Sequence, residues 1–143
     1  MLLIAHRGNI TGPNPLKENS PDYINEALQN GYDVEVDVWM LNNQIYLGHN
    51  LPKYDISIDY LKNDKLWCHC KNIDALKYLL DSGVHCFFHK SDDVTLTSRG
   101  VIWTFPNKQL VEGSVCVMPE YGYEGNLYKC MGICSDYIQD FKK

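Results

Sequence analysis

Asp33-Val34-Glu35-Val36-Asp37-Val38 is the stretch from which the rest of the chain can be organised. Its strict alternation of acid and valine has the period of a β-strand, in which residues i and i+2 share a face. Val34, Val36 and Val38 therefore form one apolar packing surface, and Glu35 and Asp37 stand together on the other. Two carboxylates buried side by side repel each other unless positive charge lies between them. A divalent cation supplies that charge, and oxygen ligands suit Mg²⁺, Ca²⁺ or Mn²⁺. The plainer alternative is an edge strand with its acidic face in water.

Upstream, residues 2–5 (Leu-Leu-Ile-Ala) read as a buried strand that ends on His6 and Arg7. A loop rich in Gly, Pro and Asn follows over residues 8–19. Ser20 then reads as a helix N-cap with Pro21 at the first helical position, and Gly31 as the C′ residue. Downstream, the turn residues Asn42-Asn43 lead into an extended run over 45–49, and residues 57–61 read as one helical turn. Residues 66–70 form the third main strand. Asn72 caps a helix through Leu80, with Ala75, Leu76, Leu79 and Leu80 inward and Gly83 ending it. Further strands are expected over 85–89, 101–104, 115–118 and 132–135. Strand–helix alternation in the first half argues for a parallel α/β sheet or barrel. The 143 residues suit one domain over 1–143, too short for a full (β/α)₈ barrel of about 250 residues. Connections after residue 90 are too short for regular crossover helices.

Strand parity also organises Cys68-His69-Cys70-Lys71. His69 and Lys71 share one face and the two thiols the other, which disfavours a zinc site built from Cys68, His69 and Cys70. The better reading turns His69 and Lys71 toward Glu35 and Asp37. His6 and Arg7 lie at the C-terminal end of a strand, where α/β proteins place binding groups. Arg7 suits bidentate phosphate binding, and His49 offers a second proton-transfer group.

A net charge of −5 argues against nucleic acid or anionic lipid as a general partner. The apolar start is too short for a signal peptide, and no run approaches the roughly 20 residues of a membrane span. The six cysteines fall mostly in apolar runs and read as reduced, buried thiols of a cytoplasmic protein.

Taken in order, Ile4-Ala5-His6-Arg7-Gly8, Glu18-Asn19-Ser20, Glu35-Val36-Asp37-Val38 and Leu47-Gly48-His49 resemble the glycerophosphodiester phosphodiesterase family. That family's pattern is HRG, then EN with Ser or Thr, then E-x-D-V, then HD, at similar spacings. Lys71, Trp103-Thr104 and Ile133-Cys134-Ser135-Asp136 match later motifs more loosely. The resemblance implies a reduced TIM-type (β/α) barrel of the PLC-like phosphodiesterase superfamily, with short connections in its second half. It implies cleavage of a small phosphodiester with a divalent metal, and a place in lipid metabolism. His6 and His49 would be the acid–base pair, and Arg7 and Lys71 would hold phosphate. Glu35 and Asp37 would bind metal, with His69 where the family carries a third acid. Glu18 and Asn19 would shape the site, and Trp103 would wall the alcohol moiety. Asn50 replaces the Asp that usually follows the second histidine, and the glycerol specificity is not carried over. A neighbouring hydroxyl on the substrate would permit a cyclic phosphate product. The alternative from another class is a catalytically degenerate phosphate-binding or interaction module.

Overall fold

The acid–valine alternation of residues 33–38 becomes the centre of the molecule. In the computed structural model, which describes residues 1–143, β1 (Leu2–His6) leads through the expected loop to α1 (Pro21–Gln29). The Ser20 hydroxyl accepts the Tyr23 N–H, closing the N-terminus of α1. β2 (Asp33–Leu41) turns at Asn42 and Asn43, both at positive φ, into β3 (Gln44–Leu47). Two consecutive left-handed residues match the twist of a tight antiparallel hairpin. β4 (Tyr54–Asp55) and α2 (Ile58–Leu61), capped by Ser57, precede β5 (Leu66–Cys70). α3 (Ile73–Asp81) starts at the Asn72 side chain, which accepts the Ala75 N–H. The remaining strands are β6 (Cys86–Phe88), β7 (Val94–Leu96), β8 (Ile102–Thr104), β9 (Val115–Val117) and β10 (Gly132–Ser135).

All ten strands belong to one sheet, ordered β4-β3-β2-β1-β10-β9-β8-β7, with β5 and β6 branching from β2. β6, β5, β2, β1, β10, β9 and β8 run parallel, and β3, β4 and β7 join through antiparallel pairs. The sheet curls until its two ends meet side chain to side chain. Phe87 packs on Trp103 with ring centroids 4.7 Å apart, and the Ser98 N–H donates to the Cys86 carbonyl at 2.8 Å.

This architecture overturns the expectation of a reduced TIM-type (β/α) barrel. The sheet is mixed and forms a half-barrel, and only three short helices accompany it. The physical reason lies in the connections. Residues 105–114 are too short, and residues 118–131 too rich in turn formers, to carry crossover helices, so they pass as turns and 3₁₀ segments (Pro119–Tyr121, Leu127–Lys129). The strand expected over 101–104 is β8, which pairs antiparallel with β7, a strand the sequence reading did not place. Leu80, expected inward on α3, is 47% exposed, whereas Ala75 and Leu79 are fully buried.

Two apolar layers result. Nineteen buried residues, among them Val34, Val36, Val38, Cys68, Cys70, Ile24, Ala75 and Leu79, lie between the sheet and its helices. Eight others, including Ile4, Trp67, Phe87, Trp103, Val115 and Cys134, fill the inside of the curl. No helix is long and apolar enough to cross a membrane.

Candidate active site

The polar face of β2 sits above the inner apolar plug. β2 is flanked by β1 and β5, so the acidic edge-strand alternative does not hold: Glu35 is 2% exposed and Asp37 1%. Register brings partners to each acid. His6 pairs with Glu35, and Asp37 with His69. Cys68 and Cys70 belong to the outer layer, so the thiols and the imidazole do face opposite ways.

His69 Nε2 lies 2.8 Å from the His89 carbonyl, which can only accept. That nitrogen therefore carries a hydrogen, and Nδ1 is turned to the acids, 3.4 Å from Asp37 Oδ1 and 3.7 Å from Glu35 Oε1. Asp37 Oδ1 is buried without a hydrogen-bond partner. One atom from each of Glu35, Asp37 and His69 lies within 4.8 Å of the others. Two carboxylate oxygens and an imidazole lone pair converging on one point fit a divalent cation. The donor set suits Mn²⁺ better than Ca²⁺, which prefers oxygen alone.

Arg7 and Asn19 frame that point. Both take a left-handed backbone, φ 55° and 65°, which turns their side chains back over β2. Asn19 makes a two-way clamp on Asp37: its amide donates to Oδ2, and its carbonyl accepts the Asp37 N–H, each at 2.9 Å. The Arg7 guanidinium lies 3.2 Å from Asp37 Oδ2 and donates to Glu18 Oε1 at 3.2 Å. Glu18 thus supports Arg7 rather than His6. Lys71 Nζ reaches Asp37 Oδ1 at 3.7 Å. Burial alone would push the Asp37 pKa up, but His49 and the charges of Arg7, His69 and Lys71 hold the carboxyl far below its ordinary range.

His49 follows Gly48, where a Cβ would come within 2.1 Å of the Leu51 carbonyl, so only glycine allows this tight turn. Arg7 Nη2 donates to His49 Nε2 at 3.1 Å, which leaves the hydrogen on Nδ1, 3.4 Å from Asp37 Oδ2. On the opposite flank, His6 Nδ1 donates to Asp136 Oδ1 at 2.7 Å, and its Nε2 faces Glu35 Oε2 at 3.7 Å. Burial would lower the His6 pKa. Glu35 and the Asp136 bond outweigh that and raise it, against an opposing pull from Arg7. Asp136 is pushed up by burial but brought below its ordinary value by His6 and by the Asn9 amide, which donates at 2.8 Å.

Asp136 is a site residue that sequence reasoning quoted in a motif but gave no role. A signal existed. Ile4 pairs with Cys134 across β1 and β10, so the residues two further on, His6 and Asp136, stand abreast at the same strand ends. Glu120 was also missed; its Oε1 accepts from Ser135 Oγ at 2.9 Å and from the Asp136 N–H at 3.0 Å, holding that carboxylate in place.

These groups line a cleft of about 630 Å³. One end carries His6, Arg7, Glu18, Glu35, His49, His69 and Lys71. The other is walled by Trp103, Phe105, Pro106, Val117 and Met118. Trp103 is only 4% exposed and packs at a tilt on Phe87 and Trp67, so it belongs to the inner plug as well as to the cleft lining. Four carboxylates, Glu18, Glu35, Asp37 and Asp136, meet two permanent cations, Arg7 and Lys71, at the polar end. Two negative charges are left for protons or a divalent ion to balance.

The fold and site define a small mixed α/β half-barrel with a carboxylate–histidine centre at its open end. No family model, curated protein or solved structure matches the chain.

Proposed function

We propose that the protein is a divalent-cation-dependent phosphodiesterase acting on a small diester, with His6 and His49 as its acid–base pair. The observation that carries this reading is the Asp136–His6 contact of 2.7 Å. It holds the ring through Nδ1 and leaves Nε2, beside Glu35, as the nitrogen from which a general base would act. Across Arg7, His49 supplies a second proton-transfer group within the same cleft. The resemblance of His6-Arg7-Gly8, Glu18-Asn19-Ser20, Glu35-Val36-Asp37-Val38 and Gly48-His49 to the glycerophosphodiester phosphodiesterases supports the reaction class independently of the fold.

A divalent ion held by Glu35, Asp37 and His69 would polarise a phosphoryl oxygen and offset the site's surplus negative charge. Arg7 and Lys71 neutralise charge on the remaining phosphate oxygens. For Arg7 this requires exchanging its contact with His49 for the phosphate. His6 takes the proton from the attacking hydroxyl, which belongs to water or to a neighbouring position of the substrate. The resulting imidazolium is stabilised by Asp136, as its raised pKa requires. Protonated His49 delivers a proton to the departing alkoxide, so one proton enters the site as another leaves. Hydrolysis gives a monoester and an alcohol; internal attack gives a cyclic phosphate. Six free, buried cysteines favour a reducing compartment, and we place the protein in the cytoplasm.

The test is turnover of bis(4-nitrophenyl) phosphate with Mn²⁺. The wild type should cleave it, and His6→Ala should lose about 10²–10⁴ in kcat. Wild-type turnover in His6→Ala would refute the assignment. A wild type that binds phosphate but never turns over would instead support the binding-module alternative.

A further inference from the structure

The polar end of the cleft accounts for a phosphate, and the apolar end accounts for nothing yet. Its wall is flat and unsaturated or ring-shaped: Trp103, Phe105 and Pro106. Beside it stands His89, only 8% exposed, with the exposed side chains of Lys90 and Tyr121 further out on the same lining. Both of its ring nitrogens are buried and without a hydrogen-bond partner. Its ring meets Phe105 edge to face at 5.1 Å, and its carbonyl receives the His69 N–H. The backbone contact thus ties His89 to the phosphate end, and the ring contact ties it to the apolar end. A neutral imidazole holds one donor and one acceptor, and burying both unsatisfied is rare in native structures because it forfeits their bonds to water.

We propose that His89 selects the alcohol half of the diester. That half has a planar, apolar body lying along Phe105 and Pro106, and it carries one hydroxyl or ring nitrogen that bonds the His89 imidazole. An acyclic polyol fits this end badly. It would lay several hydroxyls against the carbon of Trp103, Phe105, Pro106 and Val117, where each gives up its bonds to water. The cleft therefore suits an aryl or heteroaromatic ester, and discrimination resides in a group that does no bond-making chemistry.

The inference rests on the proposed phosphodiester reading, so its test uses binding rather than turnover. Calorimetry with Mn²⁺ present would compare inorganic phosphate, phenyl phosphate and the three isomeric hydroxyphenyl phosphates. In the wild type, at least one isomer should bind about 5–10-fold more tightly than phenyl phosphate, the value of one net hydrogen bond. In His89→Phe that preference should vanish while phenyl phosphate and inorganic phosphate still bind, which also shows that the variant is folded. His89→Gln, which keeps a donor and an acceptor, should restore part of the preference. Equal binding of all four aryl monoesters by the wild type would overturn the proposal, as would a preference that survives in His89→Phe. If the preference depends on His89 but no diester is ever cleaved, the catalytic reading fails and the binding pocket stands.

Discussion

The two faces of β2 are buried to nearly the same degree and do opposite work. Val34, Val36 and Val38 are fully excluded from water among aliphatic side chains and thiols of the outer layer. Glu35 and Asp37 are almost as inaccessible, yet their neighbours are His6, Arg7, Asn19, His69 and Lys71. Burying the first face stabilises the fold at about 25 cal/mol per Å² of apolar surface. Burying the second costs solvation that charge partners only partly return. Equal exposure therefore says nothing about which side of a strand holds the protein together and which side it keeps for chemistry.

The largest expected effect separates the two faces by stability. Leu79 lies on α3 against the valine side, fully buried, and Leu79→Ala should cost about 2–5 kcal/mol in urea unfolding. Activity per folded molecule should be retained, because nothing in the cleft touches that residue. If cleavage falls in proportion to nothing but the folded fraction, the two faces are energetically separate.

A smaller shift should appear on the acidic face alone. Saturating Mn²⁺, at about 100 times its Kd, should stabilise the wild type by about 2.7 kcal/mol in thermal melts. Asp37→Asn should abolish that gain, since it removes a charge and one of three converging donors. The metal-free variant should melt below the metal-free wild type, because Arg7 and Lys71 lose the carboxylate they hold ionised. A metal-dependent rise in Tm that survives in Asp37→Asn would remove Asp37 from the cation site.

The smallest effect is a pH dependence that contrasts two histidines. His6 is raised by Glu35 and Asp136 despite its burial. His85 sits on Trp67, ring centroids 4.4 Å apart, and meets Thr97 Oγ1 at 2.9 Å with no carboxylate in contact. Burial, assisted by Arg99, pushes it down to about 4. In the unfolded chain it titrates near 6.5. Between those values the unfolded state takes up a proton that the folded state refuses, so stability falls as pH drops through that window. The loss should be on the order of 1–2 kcal/mol, reduced for partial solvent access, and His85→Gln should flatten it. His6 works in the opposite sense: its stabilisation is full below pH 6.5 and fades as pH rises through its folded value. Denaturant melts from pH 4 to 8 would resolve both limbs, and an acid limb unchanged in His85→Gln would discard the first.

Local signals in the sequence were read well where the physics is local. The caps at Ser20 and Asn72, the turn at Asn42-Asn43 and the parity of β2 and β5 each depend on a few neighbouring residues, and each took the form its chemistry prescribes. Long-range pairing was not legible in the same way. Nothing near Asp136 announces His6, which lies 130 positions away and meets it only because β1 and β10 are parallel neighbours. The half-barrel and β7 escaped for a related reason: three-residue strands carry too little periodicity to separate a hairpin from a crossover. Leu80 was misplaced because helical spacing alone does not say how wide the covering sheet is. His89 drew no attention as a residue of its own, since an unpaired ring nitrogen is a property of surroundings rather than of spacing.

The pairing of β1 with β10 also orders events in time. Leu2 lies opposite Gly132, so β1 leaves a ribosome long before β10, the strand that closes this ladder. Contacts so distant along the chain come late and slowly in folding. The β1–β2 hydrogen bonds and the Asp37–His69 pair form from residues 1–70 alone, whereas the His6–Asp136 bond cannot exist until β10 has emerged. A growing chain can thus bring Glu35, Asp37 and His69 together well before His6 meets Asp136, so the two flanks of the cleft are set by separate steps of synthesis.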